Sequence, residues 1–163
     1  MVCVNSLGSC FGSTSPASIN KATGEIYGLT FPELSIEDIA KSGHAVLQTL
    51  GIDHAHTVMG PSMGGMTALA YALLFPNSLS NLIVISAAAR ALPFTISIRS
   101  LQRELIRSDP LWNNGIYKKN SAPLNGMKLA RKLGLMSYRA ANEWRERFNR
   151  ARLPKSADKQ MFD

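Results

Sequence analysis

Ser62 stands at the centre of Gly60-Pro61-Ser62-Met63-Gly64, five residues whose types and spacing suit nucleophilic chemistry. A serine flanked by glycines two places before and two after fits a sharp strand-to-helix turn. The hydroxyl is pushed out toward an electrophile, and the glycines let strand and helix pass each other. The next backbone N–H, that of Met63, then opens the helix and can donate to the oxyanion formed when an acyl carbon is attacked. The chemistry implied is acyl transfer through a serine ester, which needs a base to take the hydroxyl proton. The histidines available are His44, His54 and His56, and all precede Ser62. Around such a turn an Asp or Glu and then a His follow the serine in chain order, so none of the three stands where the base belongs. The carboxylates after Ser62 are Glu104, Asp109, Glu143, Glu146, Asp158 and Asp163. They fall in a helical region or the tail, and none is assigned to the triad.

The elements that must position this serine are legible on both sides of it. Thr57-Val58-Met59 reads as a short strand entering the turn, and Ala68, Leu69, Ala72 and Leu73 recur at helical spacing until Pro76. Upstream, Ser35 as N-cap and Asp38 three residues later form a capping-box variant. Ile36, Ile39, Ala40, Gly43, Val46, Leu47 and Leu50 then mark one helical face, and Gly51 a stop. Leu82-Ile83-Val84-Ile85-Ser86 reads as a further buried strand. Met1-Val2-Cys3-Val4 reads as another, and because a strand needs neighbours, a sheet opening at the first residue leads us to expect missing strands. Strand, helix, strand, turn, helix, strand is a run of βαβ units. It predicts an α/β fold with a parallel sheet and the serine at the carboxyl ends of the strands, where such sheets bind ligands.

Asn5 to Asn20 is a Gly- and Ser-rich loop, either functional or a plain surface excursion. Past Ala87 the pattern turns helical: Ile98 to Arg107, a turn at Asp109-Pro110-Leu111-Trp112, then Gly126 to Leu135 and Ala140 to Phe148. Helices without strands suggest a cap or lid that excludes water. The expected organisation is a partial core over 1–97, a helical cap region over 98–153 and a frayed polar tail over 154–163.

The net charge of +7 over 163 residues is concentrated late, from Lys128 to Lys159. Basic patches can hold nucleic acid, but Glu143 and Glu146 interleave with the arginines at helical spacing, which favours a solvated face. An anionic small ligand such as a coenzyme A thioester is a third reading. Cys3 and Cys10 lack metal-ligand spacing and read as reduced thiols of a cytoplasmic protein, with a disulfide as the less favoured reading. No run is long and apolar enough to span a membrane.

Beyond the Ser62 turn with Gly64-Gly65-Met66, ordered segments run along the chain: Val4-Asn5-Ser6-Leu7-Gly8-Ser9-Cys10, Gly12-Ser13-Thr14, Phe31 to Asp38, Arg103 to Pro110, Ala130-Arg131-Lys132-Leu133, Ser137-Tyr138-Arg139 and Arg147-Phe148. In these the chain resembles the homoserine O-acetyltransferases and the serine and homoserine O-succinyltransferases. Ala91-Leu92-Pro93-Phe94 followed by Ile98 to Arg103 looks most like the serine O-succinyltransferases. The resemblance implies an α/β-hydrolase fold, incomplete at both ends, and a ping-pong transfer in cysteine or methionine biosynthesis. The co-substrate would be succinyl-CoA or acetyl-CoA, with no bound cofactor or metal, and the acceptor L-serine or L-homoserine. It implies a homodimer when full length, with neither nucleic acid nor membrane as partner. Carried over, Ser62 is the nucleophile, Met63 an oxyanion donor and Arg131 the partner of the amino acid's carboxylate; by itself Arg131 reads as one more surface arginine.

Arg99, where acetyl-transferring relatives tend to carry an uncharged residue, is the candidate for a succinyl carboxylate. A solvent-facing arginine is the plain alternative, and Arg103 one turn later could take the same role. Ser15 and Asn149 stand where the family usually has glycine, which puts the local backbone there in question. The family's upstream oxyanion loop, late Asp and C-terminal His have no counterpart. An esterase on the same fold, and a non-catalytic remnant or basic binding module, are the competing readings.

Overall fold

A computed structural model describes residues 1–148 and divides the chain into two compact units, Met1–Pro93 and from Phe94 onward. In the first unit the parallel pair β1 (Ala55–Pro61) and β2 (Leu79–Ile85) is crossed by α2 (Met63–Leu74) and preceded by α1 (Ile36–Thr49). Ala55 pairs with Leu79 and Pro61 with Ile85, so both strands end level with the Ser62 turn.

α1 starts where the sequence predicts. Asp38 N–H donates to Ser35 Oγ at 3.1 Å, and Ser35 N–H donates back to Asp38 Oδ2 at 3.0 Å, so each side chain satisfies a helix-end donor. The bond from Ser35 N–H, a second that Ser35 Oγ donates to Asp38 Oδ2 at 3.0 Å, and Lys41 nearby hold the Asp38 carboxyl below its usual range. Gly51 at φ 70 follows the helix. The packed face differs in part from the expected one. Ala40 is buried, with Ile36 and Leu47 beside it against Ala70, Tyr71, Val58 and Phe75, whereas Val46 and Leu50 are exposed. His44 takes the inward place, stacked on Phe75 at 3.8 Å between ring centroids. On α2 the buried positions are Gly65, Ala68, Ala70 and Tyr71, and Leu73, expected inside, faces out.

Two further expectations fail. Met1-Val2-Cys3-Val4 forms no strand: a strand exists through its neighbours' hydrogen bonds, and no described strand lies beside these exposed residues. β2 forms as expected but is not buried, with Leu82, Ile83 and Ile85 all exposed.

The long loop is held by its own bonds, Gly8 N–H to Thr14 O at 2.8 Å and Ser13 Oγ to Asn5 O at 2.9 Å among them. Ser15 is buried, donates its N–H to Ser18 Oγ at 3.0 Å, and is not among the residues with positive φ. Serine in place of glycine therefore costs no backbone strain there. Asn149 lies outside the described residues.

Among its described residues the second unit holds helices and no strand: α3 (Pro93–Arg107), whose first residue closes the first unit, α4 (Leu124–Ser137) and α5 (Ala141–Arg147), with short 3₁₀ turns between. α3 begins five residues before the expected Ile98, with Pro93 as its first residue, where a missing N–H costs nothing. α4 meets α3 along Gly126, Ala130 and Gly134, one side of the helix at four-residue spacing, all buried. A Cβ on Gly126 would lie 2.5 Å from Leu105 O and 2.8 Å from Ile106 Cα, so the two backbones touch and only glycine fits. Asp109, also buried, ties the ends together: its carboxylate accepts from Gly126 N–H at 2.8 Å and Leu111 N–H at 3.0 Å.

Candidate active site

Ser62 adopts φ 53, ψ −122, a conformation that L-residues avoid. Holding a non-glycine residue there costs about 1–3 kcal/mol, which the surrounding bonds must offset. Ser62 N–H donates to Ile85 O at 2.9 Å, extending the β1–β2 ladder into the turn. Its carbonyl accepts from Gly65 N–H at 2.9 Å and Met66 N–H at 3.2 Å, closing the first turn of α2. With its backbone fixed at both ends, the side chain is left exposed, with no hydrogen-bond partner among the described residues. This is the posture a nucleophile needs.

The glycines that permit it are not quite those the spacing singled out. A Cβ on Gly60 would lie 2.3 Å from both C and O of Gly64 and 2.9 Å from Gly65 N, all backbone. On Gly65 it would lie 2.7 Å from Ala87 Cβ and 2.9 Å from Gly60 O. On Gly64, the second glycine of the five-residue pattern, it would meet only Pro61 Cδ at 3.5 Å, an ordinary contact. The close approach of helix to strand therefore runs through Gly60 and Gly65.

Met63 is the first residue of α2, so its N–H and that of Gly64 have no carbonyl in the preceding turn to bond. Such N–H groups at a helix start can donate to the oxygen of an attacked carbonyl. An open, largely apolar cleft of about 340 Å³ lies between Met63 and the loop residues Leu7, Pro16, Phe31 and Leu34. Sequence reasoning missed Ser86, the other serine with left-handed φ (49), at the end of β2 beside the turn. Nothing in its residue type signals that conformation.

No histidine comes to Ser62. His56 sits at the start of β1, six residues and about 20 Å of extended chain away, with Nδ1 2.8 Å from Thr57 Oγ1. His54 bonds Asn77 O at 3.1 Å and Ser80 Oγ at 2.8 Å. His44 faces Tyr71 Oη at 3.2 Å, toward the far end of α2. Asp109 is committed to backbone donors, Gly126 first, then Leu111 and Asn125, which hold its carboxyl below the usual carboxylate range. Glu143 pairs with Arg139 and, at 3.2 Å, with Arg147. Asp158 and Asp163 lie outside the described residues. Among the described residues no cluster of His, Cys, Asp or Glu could hold a metal, and no helix is long and apolar enough to cross a membrane.

Arg99 and Arg131 both belong to the second unit. Arg99 is half-buried: Nη1 donates to Gln102 Oε1 at 2.6 Å, and the guanidinium lies 5.9 Å from the Tyr138 ring centroid, within cation–π range. Arg131 is exposed on α4, with no ion pair among the described residues.

A strained serine between a parallel strand and a helix, with free helix N–H groups beside it, narrows the fold to few candidates. A profile of the alpha/beta hydrolase fold matches residues 1–163. The chain belongs to that family. Among curated relatives, a serine O-succinyltransferase of Litchfieldella anticariensis is 55% identical over 158 residues, 97% of this chain and 43% of the relative. Among solved structures, a homoserine O-acetyltransferase from Bacillus anthracis superposes with a TM-score of 0.80 at 28% identity, covering 91% of this chain and 39% of that one. A crystallised esterase gives a TM-score of 0.76 at 30% identity over 93% of this chain and 42% of its own. The chain thus spans about two fifths of the length of the relatives it matches. The resemblance to the homoserine O-acetyltransferases and serine O-succinyltransferases, read from the ordered segments, holds across the α/β-hydrolase part that the two share with this chain.

Proposed function

We propose that this chain carries the nucleophile and part of the substrate-binding surface of a coenzyme A-dependent O-acyltransferase acting on L-serine or L-homoserine. The observation that carries the reading is the strained, exposed and unpartnered Ser62 at the head of α2, in a chain 55% identical to a serine O-succinyltransferase. In the first half-reaction Ser62 Oγ attacks the thioester carbonyl of succinyl-CoA or acetyl-CoA and gives up its proton to a general base. The tetrahedral oxyanion is held in part by Met63 N–H, the C–S bond breaks, and coenzyme A leaves protonated. In the second, the amino-acid hydroxyl attacks the acyl-serine ester and Ser62 recovers its proton as the O-acyl amino acid departs. Arg131 holds the amino acid's carboxylate, for which a planar guanidinium is suited, and Arg99 the free carboxylate of a succinyl group. The apolar cleft beside Met63 accommodates an uncharged stretch of the donor.

Because every histidine of the chain is placed away from Ser62, the 163-residue chain by itself is expected to show no turnover with either donor and either acceptor. Turnover comparable to that of an intact relative would overturn the mechanism. The positive test is a chimera in which this chain replaces its matching segment of the Litchfieldella relative, mixed with succinyl-CoA and followed by mass spectrometry. An acyl adduct on Ser62 that is absent from Ser62→Ala supports the reading, and an adduct that survives in Ser62→Ala removes Ser62 from the role. The likeness to a solved esterase favours one second reading, hydrolysis. A hydrolase releases the acyl group to water without an amino acid, whereas the transferase proposed here requires the acceptor for product release.

A further inference from the structure

We infer that Gln102 is a positioning residue that locks Arg99 and the Arg131-bearing turn of α4 into one unit. The inference rests on reading the two arginines as substrate-binding cations. Gln102 projects from α3 toward α4 and uses both ends of its amide. Its Oε1 accepts from Arg99 Nη1 at 2.6 Å, and its Nε2 donates to the backbone carbonyl of Ala130 at 2.8 Å. Ala130 is the residue immediately before Arg131.

The helix surface is shaped for this amide. A Cβ on Gly134 would come within 2.8 Å of Gln102 Nε2, so the glycine leaves the notch that the side chain fills. The notch lies one turn after Ala130, whose carbonyl the amide reaches. That carbonyl already belongs to the α4 helix, and its second lone pair is open to the amide of the half-buried Gln102.

Arg99 thereby has two partners, Gln102 Oε1 and the face of the Tyr138 ring. No carboxylate pairs with it among the described residues. A neutral acceptor orients the cation without cancelling its charge, which a glutamate at the same place would do. Arg103, the neighbouring candidate, shows no such partners and lies on the exposed side of α3. The arrangement therefore selects Arg99 over Arg103 as the ordered cation of this helix.

The test uses nitrogen–proton NMR of arginine side chains in the 163-residue chain, with Arg103 as internal reference. Arg99 guanidinium protons are expected to exchange with water about 10-fold more slowly than those of Arg103, the protection of one charge-assisted bond. Gln102→Leu, which keeps the volume and removes both bonds, should erase the difference. If the leucine variant does not fold, the unaltered chain decides alone: slower exchange at Arg99 than at Arg103 supports the inference. Equal exchange of Arg99 and Arg103 in the unaltered chain overturns it.

A second measurement separates this inference from the donor assignment. In the chimera, Gln102→Leu should raise KM for succinyl-CoA about 10-fold with kcat nearly unchanged, and leave acetyl-CoA unaffected. A loosened Arg99 with an unchanged KM for succinyl-CoA would support the positioning role and refute the reading of Arg99 as the succinyl contact.

Discussion

Replacing Gly60 with alanine and, separately, Gly64 with alanine should give opposite results, although both glycines belong to the same five-residue pattern. At Gly60 the added methyl would sit 2.3 Å from the carbonyl carbon and oxygen of Gly64 and 2.9 Å from Gly65 N, where ordinary contact begins near 3.4 Å. Every one of those atoms is backbone, so no side chain can swing away and the first turn of α2 must move off β1. Overpacking of this kind costs about 1–3 kcal/mol and occasionally more, and a clash confined to backbone belongs at the upper end. At Gly64 the same methyl meets only Pro61 Cδ at 3.5 Å, and the residue is already helical. Alanine there should be neutral or stabilise by up to about 1 kcal/mol through helix propensity. The expected separation between the two variants is therefore about 3 kcal/mol, or a factor of more than 100 in the folding equilibrium. Urea unfolding followed by far-ultraviolet circular dichroism measures it directly. Gly65→Ala should behave like Gly60→Ala, since its methyl would meet Ala87 Cβ at 2.7 Å and Gly60 O at 2.9 Å. Equal destabilisation by Gly60→Ala and Gly64→Ala would refute the assignment of the close approach.

Other outcomes follow from the same geometry. In the chimera, Arg99→Leu should lower kcat/KM for succinyl-CoA about 10-fold or more, equivalent to about 1.4 kcal/mol, while sparing acetyl-CoA. Equal losses with both donors would show that Arg99 holds the fold or the coenzyme. Asp109, whose carboxyl is held below its usual range by Gly126, Leu111 and Asn125 N–H groups, stabilises the helical unit above the unfolded value of about pH 4. That contribution is lost as pH falls through the lower folded value, because the unfolded state then binds the extra proton more readily. Both tryptophans, Trp112 and Trp144, lie in that unit. Acid titration by tryptophan fluorescence should therefore report a transition there that Asp109→Asn removes, and an unchanged transition in the variant would exclude this origin.

Local chemistry was the part most legible in the sequence. The capping box at Ser35 and Asp38, the β1 turn at Ser62 and the start of α2 depend on neighbours within a few residues, and the structure places all of them as read. Long-range pairing was less legible. Met1 to Val4 carries strand-type residues, but residue type cannot supply a hydrogen-bonding neighbour. The inward turn of His44 was hidden because its place is set by Phe75 and Tyr71, some thirty residues on. The spacing picks out Gly64 over Gly65, and only their directions toward Pro61 and Ala87 reverse that choice. Gln102 was unreadable for the same reason, since its two partners lie on different turns of different helices.

The backbone angle of Ser62 sets stability against chemistry at a single residue. Glycine would occupy φ 53 without the steric cost that serine bears. Ser62→Gly therefore relaxes the turn and removes the hydroxyl together. Libraries of this chain sorted only for thermal tolerance would drift toward glycine there, and a stabilised variant obtained that way would lack the proposed nucleophile. Directed improvement of this scaffold has to hold Ser62 constant and seek its stabilising changes elsewhere, with Gly64 as the nearest place to begin.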